Sequence, residues 1–219
     1  MDIKGLKINF MGDSITEGVG SSDPAKKGYV SVIAEKYGAV CNNYGYGGTR
    51  IAKQTVPSAE KCWDNFFCGR IDEMDKDADA VVIFGGTNDF GHGDAELGCM
   101  SDRTYDTFYG ALHYLYSNII EKFPTAKIVV VTPLHCIKED DLCGGGRKPH
   151  DYADLKTYVN IIREVAEYYS LPVLDLFKES GLQPKVPIIQ KMYMPDGLHP
   201  SDLGHSLLAE KIANFLINL

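Results

Sequence analysis

The stretch "LKINFMGDSITEGVG", Leu6–Gly20, sets an apolar run against a glycine-bearing turn and a short polar segment. Leu6–Met11 is the length of a buried β-strand and is closed by a turn signal. Gly12 is expected to let the chain turn sharply there. Ser14 then falls where the next segment begins, with a backbone N–H free to meet negative charge. Such a turn has three uses: it cradles phosphate, it caps a helix through the serine hydroxyl, or it presents the serine as a nucleophile. The remainder of the chain separates them.

Downstream, strand-like and helix-like runs alternate. "GYVSVIAEKYG" (Gly28–Gly38) predicts a helix stopped by Gly38, and "AVCNNY" (Ala39–Tyr44) a second, weaker strand. "DAVVIFGG" (Asp79–Gly86) is a β-branched strand ending in a glycine pair, and "AKIVVVTP" (Ala126–Pro133) a central strand. Between them, Arg103–Phe123 predicts a long helix ended by Pro124. In Asp154–Ser170 the residues Leu155, Val159, Ile162, Ala166 and Tyr169 recur at helical spacing. Leu171–Leu176 is a short last strand, and Ser201–Leu219 a closing helix with Ser201 at its N-cap and Leu208, Ile212 and Phe215 inside.

Apolar strands separated by helices imply a parallel sheet covered on both faces. Right-handed crossovers then give a three-layer α/β/α, flavodoxin-like doubly wound five-stranded parallel sheet. The 219 residues are expected to form one domain. Ligands on such sheets bind beyond the carboxyl ends of the strands, so those ends are where chemistry is sought.

Composition excludes several partners. The net charge of -8, with no Lys/Arg run, argues against nucleic acid. No apolar run reaches the length of a membrane span. "MDIKGLKINF" is too short and polar for a signal peptide, which predicts a cytoplasmic location. The six cysteines contain no CxxC and are expected to be reduced thiols. His135, Cys136, Cys143 and His150 lie near one another, but their spacing fits no standard zinc pattern, so no metal is expected.

Four strand ends carry candidates. Ser14 follows the first strand. "NNYGYGGTR" follows the second, with Gly45, Gly47 and Gly48 leaving amides uncovered by side chains. "GGTND" follows the third and brings the Asn88 amide to the same edge. "PDGLHPSD" sets Asp196 three residues before His199 in a stretch stiffened by Pro195 and Pro200. A carboxylate on one imidazole nitrogen fixes the tautomer, and the other nitrogen can take a proton from a serine. A nucleophile, a base with its orienter and two oxyanion donors are the set that acyl transfer needs.

"GDSIT", the N-x-x-x-x-G of Asn43 to Gly48, "GGTND" and "DGLHP" resemble, in order, the four blocks of the SGNH hydrolases, also called GDSL esterases/lipases. They span residues 12 to 200 of the chain. The resemblance implies Ser14 as nucleophile, His199 as general base and Asp196 as its orienter. It implies an oxyanion hole of the Ser14 and Gly48 amides and the Asn88 side chain, with Gly45 or Gly47 replacing Gly48 if the loop register differs. Asp13 is implied only in local hydrogen bonding. No metal or organic cofactor is called for. The G-x-S-x-G elbow of α/β-hydrolases is absent.

The expected substrate is a small-molecule ester with a short acyl group, such as acetyl on a carbohydrate. That lean rests on the resemblance. A lipase, lysophospholipase or thioesterase, or a non-catalytic acyl-sugar-binding module, stays open beside it. A phosphate-cradling nucleotide protein lacks both GxGxxG and a Walker lysine. Trp63 and Tyr193 are candidate substrate contacts, with core packing the alternative for each. The acidic loop holding Asp89, Asp94, Glu96 and Asp102 is expected to disfavour anionic substrates. The long segments His135–Tyr152 and Lys178–Tyr193 are expected to be lids or specificity loops. His92, His113 and His205 are expected to be structural.

Overall fold

The computed structural model describes residues 2–148 and 151–219. Its elements in chain order are β1 (Lys7–Gly12), α1 (Ser14–Glu17), α2 (Pro24–Lys27), α3 (Tyr29–Tyr37), β2 (Val40–Gly45), β3 (Ala80–Phe84) and α4 (Thr87–His92). The second half supplies α5 (Phe108–Lys122), β4 (Lys127–Val131), α6 (Leu155–Tyr168), β5 (Val173–Leu174), α7 (Leu176–Glu179), α8 (Pro187–Tyr193) and α9 (Asp202–Ile217). The five strands pair in parallel in the order β2-β1-β3-β4-β5. This is the three-layer α/β/α arrangement expected from the alternating pattern.

Successive strand side chains point to opposite faces, and each face has its own core. Met11, Val81, Ile83 and Val130 face a cluster with Phe108, Leu112, Tyr158 and Ile162 of α5 and α6. Phe10, Val82, Phe84, Val129 and Val131 face the other, with Tyr29 and Ile33 of α3 and Leu208 and Ile212 of α9. Burying each such side chain contributes about 1.5–3 kcal/mol. Sheet residues covered on both faces are why the strands read as continuous apolar runs rather than alternating ones.

Several boundaries differ from expectation. Helix α5 begins at Phe108 rather than Arg103, because the Thr107 hydroxyl caps it by accepting from the Gly110 amide. The last strand shrinks to Val173–Leu174 because Asp175 instead caps α7, accepting from the Lys178 amide. The strand expected as central, β4, lies between β3 and the edge strand β5, and β3 takes the middle. The segment expected as a loop at Lys178–Tyr193 contains α8, which starts with Pro187 in its first turn. Ser201 caps α9 as expected, through the Gly204 amide.

The chain order reverses between β1 and β3, with β2 on one side and β4 on the other. A ligand crevice is expected at that switch point, beyond the strand ends. In register, Gly12 of β1 pairs with Gly45 of β2 and with Phe84 of β3. Three adjacent strands therefore end side by side, each just before one of the candidate motifs. Among the described residues no helix is long and apolar enough to cross a membrane.

Candidate active site

Ser14 is the first residue of α1, not its cap. Asp13 is the cap, its Oδ1 accepting from the Ile15 amide at 3.0 Å. The serine hydroxyl is thus released from capping, and its own N–H donates to no protein acceptor among the described residues. Gly12 is needed for close approach rather than for a special turn. A β-carbon there would lie 1.9 Å from Thr16 Oγ1 and 2.8 Å from the Phe84 carbonyl oxygen.

The loop after β2 is pinned from several sides. Asn43 donates to the Thr16 carbonyl at 2.8 Å and accepts from the Gly45 amide at 2.8 Å. The Gly47 amide donates to Glu17 Oε2 at 2.8 Å. Of the three candidate glycines, only Gly48 keeps an amide with no protein acceptor among the described residues. Gly48 also has φ 74° and lies under Trp63, where a β-carbon would meet Cδ1 at 1.9 Å. Buried Arg70 ties the strand ends together: it donates to the Gly12 carbonyl at 3.0 Å, to Thr49 Oγ1 at 2.9 Å, and to the Tyr44 carbonyl.

After β3, Gly86 in the left-handed region turns the chain into α4, which carries Asn88. Asn88 Nδ2 donates to the Thr49 carbonyl at 3.1 Å. Its neighbour Asp89 points the other way and is spent on the Ile51 and Ala52 amides at 2.9 and 2.8 Å. Burial pushes the Asp89 carboxyl up from its ordinary pKa, against those two amides.

The turn between α8 and α9 holds the remaining pair. Asp196 uses its two oxygens differently. Oδ1 accepts from the Leu198 and His199 amides at 2.9 and 2.7 Å, and Oδ2 lies 2.7 Å from His199 Nδ1. One oxygen shapes the turn and the other holds the ring. Partial burial raises the Asp196 carboxyl, but the His199 ring and the two amides outweigh it and hold it below the usual carboxylate range. His199 Nε2 lies 3.0 Å from Ser14 Oγ. Carboxylate, imidazole and hydroxyl therefore form one hydrogen-bonded chain. Asp13, fully buried beside it, has its carboxyl pushed up to about 6 by burial, opposed by the Ile15 amide and by His199.

Ser14, Gly48, Asn88, Asp196 and His199 line one cleft of about 550 Å³, with Trp63, His92, Val19, Phe90 and Leu198 among its walls. That volume suits a small-molecule ligand. Trp63 thus faces the cleft. Tyr193 does not line it; its ring packs against the core under α9, and its carbonyl accepts from the Ser201 amide at 2.7 Å.

The loop after Asn88 reaches the cleft through Phe90, Gly91 and His92, but its carboxylates Asp89, Asp94, Glu96 and Asp102 do not line it. Asp94 is tied to the Thr55 and Val56 amides, and Asp102 to Cys99 and Thr107. Among the described residues, the charged side chains on the cleft wall besides Asp196 are Lys138 and Arg147. Both come from the 135–152 segment, which therefore does form part of the site, whereas the 178–193 segment braces it through Gln183 and Lys185 on Glu139.

His135 is engaged by Glu139 at 2.5 Å and Cys143 by Asp151 at 2.8 Å. His150 lies outside the described residues. All six cysteines are unpaired. His113 bonds Tyr169, and His205 sits between the Tyr29 amide and the Val19 carbonyl, as structural histidines do. His92 is different: it lies in the cleft wall, 3.2 Å from Asn88 Oδ1. Arg50, Arg70 and His92 escaped the sequence, since nothing in their spacing distinguishes a buried polar partner from a surface one.

A doubly wound parallel sheet with a hydroxyl, an imidazole and a carboxylate chained at its carboxyl edge has the build of an α/β/α hydrolase. The chain belongs to the GDSL-like Lipase/Acylhydrolase family, whose model matches residues 10–207, and it is accordingly a hydrolase of ester bonds. One solved structure is 32% identical, with a TM-score of 0.83, covering 100% of this chain and 99% of that one. The lipase/acylhydrolase from Enterococcus faecalis is 24% identical, with a TM-score of 0.66 over 96% of this chain and 95% of that one. A two-domain esterase active on acetylated mannans, crystallised with mannopentaose, is 21% identical with a TM-score of 0.59. It matches 99% of this chain over 50% of its own. No curated protein matched in sequence.

Proposed function

We propose that the chain acts as a serine esterase with Ser14 as nucleophile, His199 as general base and Asp196 as its orienter, in one domain over residues 1–219. The observation that carries this reading is the unbroken run from Asp196 Oδ2 through His199 to Ser14 Oγ, with steps of 2.7 and 3.0 Å. Ionised Asp196 accepts from Nδ1–H, so Nε2 keeps its lone pair for the serine proton.

Ser14 Oγ attacks the ester carbonyl as its proton passes to His199 Nε2. The negative oxygen that forms receives the Ser14 and Gly48 amides and the second Nδ2 hydrogen of Asn88, each donor contributing about 3 kcal/mol to the transition state. The tetrahedral species collapses, His199 gives its proton to the departing alcohol, and an acyl-enzyme remains. Water then attacks the acyl carbon while His199 takes its proton, and the second collapse frees the acid as His199 gives that proton back to Ser14 Oγ.

The acyl group is proposed to be short, such as acetyl, and its alcohol a carbohydrate or similar small molecule. The cleft volume, the Trp63 face on its wall and the likeness to the mannan esterase support this. The test compares hydrolysis of p-nitrophenyl acetate by wild type and Ser14→Ala, followed by an acyl series and acetylated manno-oligosaccharides. Undiminished turnover by Ser14→Ala would overturn the serine mechanism. A rate maximum at octanoate or longer would overturn the short-acyl assignment.

A further inference from the structure

The two ends of the Asn88 amide are chemically opposite, and only one orientation turns a donor towards the cleft. We propose that Arg50 and His92 together fix that orientation, which makes His92 a positioning residue for the oxyanion hole. The assignment rests on the serine-esterase reading of the cleft.

The proton positions follow from the partners. A guanidinium has donors only, so Arg50 Nη1–H donates to His92 Nδ1, 3.0 Å away. His92 Nδ1 therefore presents a lone pair, and the neutral ring carries its hydrogen on Nε2. That Nε2–H faces Asn88 Oδ1 at 3.2 Å and donates to it. On the opposite side, Asn88 Nδ2 donates to the Thr49 carbonyl at 3.1 Å. Turning the amide over would set N–H against N–H and oxygen against oxygen, so both neighbours demand the same orientation. One Nδ2 hydrogen is used by Thr49, and the other is left for a ligand in the cleft that Asn88 lines.

The head of this chain is rigid. Arg50 is buried and also donates to Ser58 Oγ, the Trp63 carbonyl and Asp64 Oδ1, at 2.7, 3.1 and 2.6 Å. The His92 ring stacks on Trp63 with centroids 4.5 Å apart, and Trp63 in turn covers Gly48. Burial first, then the charges of Arg50, Arg147 and Lys148, push His92 down to about 3, so the ring stays neutral. A fixed cation at one end of a hydrogen-bond chain polarises each donor along it.

Two measurements test the assignment. In wild-type protein labelled with ¹⁵N-histidine, His92 should show the Nε2–H neutral tautomer at neutral pH. An Nδ1–H tautomer or an imidazolium would overturn the proposal, and this readout depends neither on a variant folding nor on esterase activity. If Ser14→Ala kept full activity instead, the serine-esterase reading would fall while the tautomer result stood. The second is a double-variant cycle on p-nitrophenyl acetate. Asn88→Ala is expected to lose about 10²–10³ in kcat, and His92→Ala about tenfold to a hundredfold, with KM little changed in both. In the Asn88→Ala background, His92→Ala should cost less than about twofold more, because its effect acts through an amide no longer present. Losses that multiply in the double variant would overturn the proposal.

Discussion

Gly48 lies directly beneath Trp63: a β-carbon on the glycine would sit 1.9 Å from Trp63 Cδ1 and 2.4 Å from Cγ. The free glycine amide of the loop and the aromatic wall of the cleft are thereby a single packed unit. Gly48→Ala meets both this overlap and the left-handed φ of 74°. The backbone conformation costs about 1–2 kcal/mol in any L-residue, and overpacking adds about 1–3 kcal/mol. The expected outcome is a lower thermal midpoint together with a fall in kcat. Adding Trp63→Ala should recover the packing part of the stability loss and leave kcat low. Thermal unfolding and acetate-ester kinetics on the wild type and these two variants check this, and wild-type kcat in Gly48→Ala would contradict it.

Asp196→Asn keeps the shape of the turn but can no longer accept two amides and a ring N–H as a carboxylate. An amide facing Nδ1 favours the wrong imidazole tautomer, so kcat is expected to fall by about 10²–10⁴ with a much smaller change in KM. The Asp196 carboxyl is held below the ordinary carboxylate range by His199 and the two amides, in spite of partial burial. Its stabilising contribution is therefore present above the unfolded-state pKa and lost as pH falls through the lower folded value. An acid loss of activity in the wild type above the ordinary carboxylate range therefore does not arise from Asp196. Steady-state pH profiles of both proteins test the assignment. A loss of less than about threefold in kcat would remove Asp196 from the role of orienter.

Buried Asp13 makes the opposite contribution to stability. Its carboxyl is raised from 3.8 to about 6, chiefly by burial. A raised folded value means that the native state holds the proton more tightly than the unfolded chain. The resulting stabilisation is complete below the unfolded value and lost as pH rises through about 6. Asn at this position can still accept from the Ile15 amide and has no charge to bury. Relative to wild type, Asp13→Asn should therefore gain up to about 3 kcal/mol in stability between about pH 4 and about pH 7. Urea unfolding at several pH values measures the difference. A gap independent of pH would show that the carboxyl is not raised.

Arg70 joins three segments that local sequence does not connect: the turn before Ser14, the end of β2, and Thr49 after the candidate oxyanion glycine. Arg70→Met fills much of the volume but takes a donor from the Tyr44 carbonyl, from Thr49 Oγ1 and from the Gly12 carbonyl, the last of which keeps the Tyr46 amide, at a cost of about 1–3 kcal/mol for each group left unsatisfied. The variant should unfold at lower urea concentration. Where it folds, kcat should fall more than KM rises, since the Gly48 amide loses its support. Unchanged unfolding midpoint and kcat would show that the three acceptors are satisfied another way.

The alternating apolar runs, with glycines and prolines between them, were enough to define a doubly wound parallel sheet, because strand and helix periodicity are local properties of the chain. Strand-end placement then marked Ser14 and Asn88 as candidates, since ligands on such sheets bind where strands end, whereas Asp196 and His199, on the turn between α8 and α9, were marked by their own spacing between two prolines. The short motifs around these residues are contiguous, so they too could be read without coordinates. Helix starts were less legible: α5 and β5 are cut short by the side chains of Thr107 and Asp175, which compete with the periodic pattern for backbone amides.

What tertiary structure alone decided concerns where hydrogen bonds go. Among Gly45, Gly47 and Gly48, the free amide was settled by Asn43 and Glu17 occupying the other two. The acidic loop looked like a charged wall, but Asp89 and Asp94 are consumed by amides some 40 positions away in the chain. Arg50, Arg70 and His92 acquired roles only through partners brought close by the fold. Each case turns on which donor meets which acceptor across distant segments. Composition and spacing record that a polar group is present, and only the folded chain records which partner satisfies it.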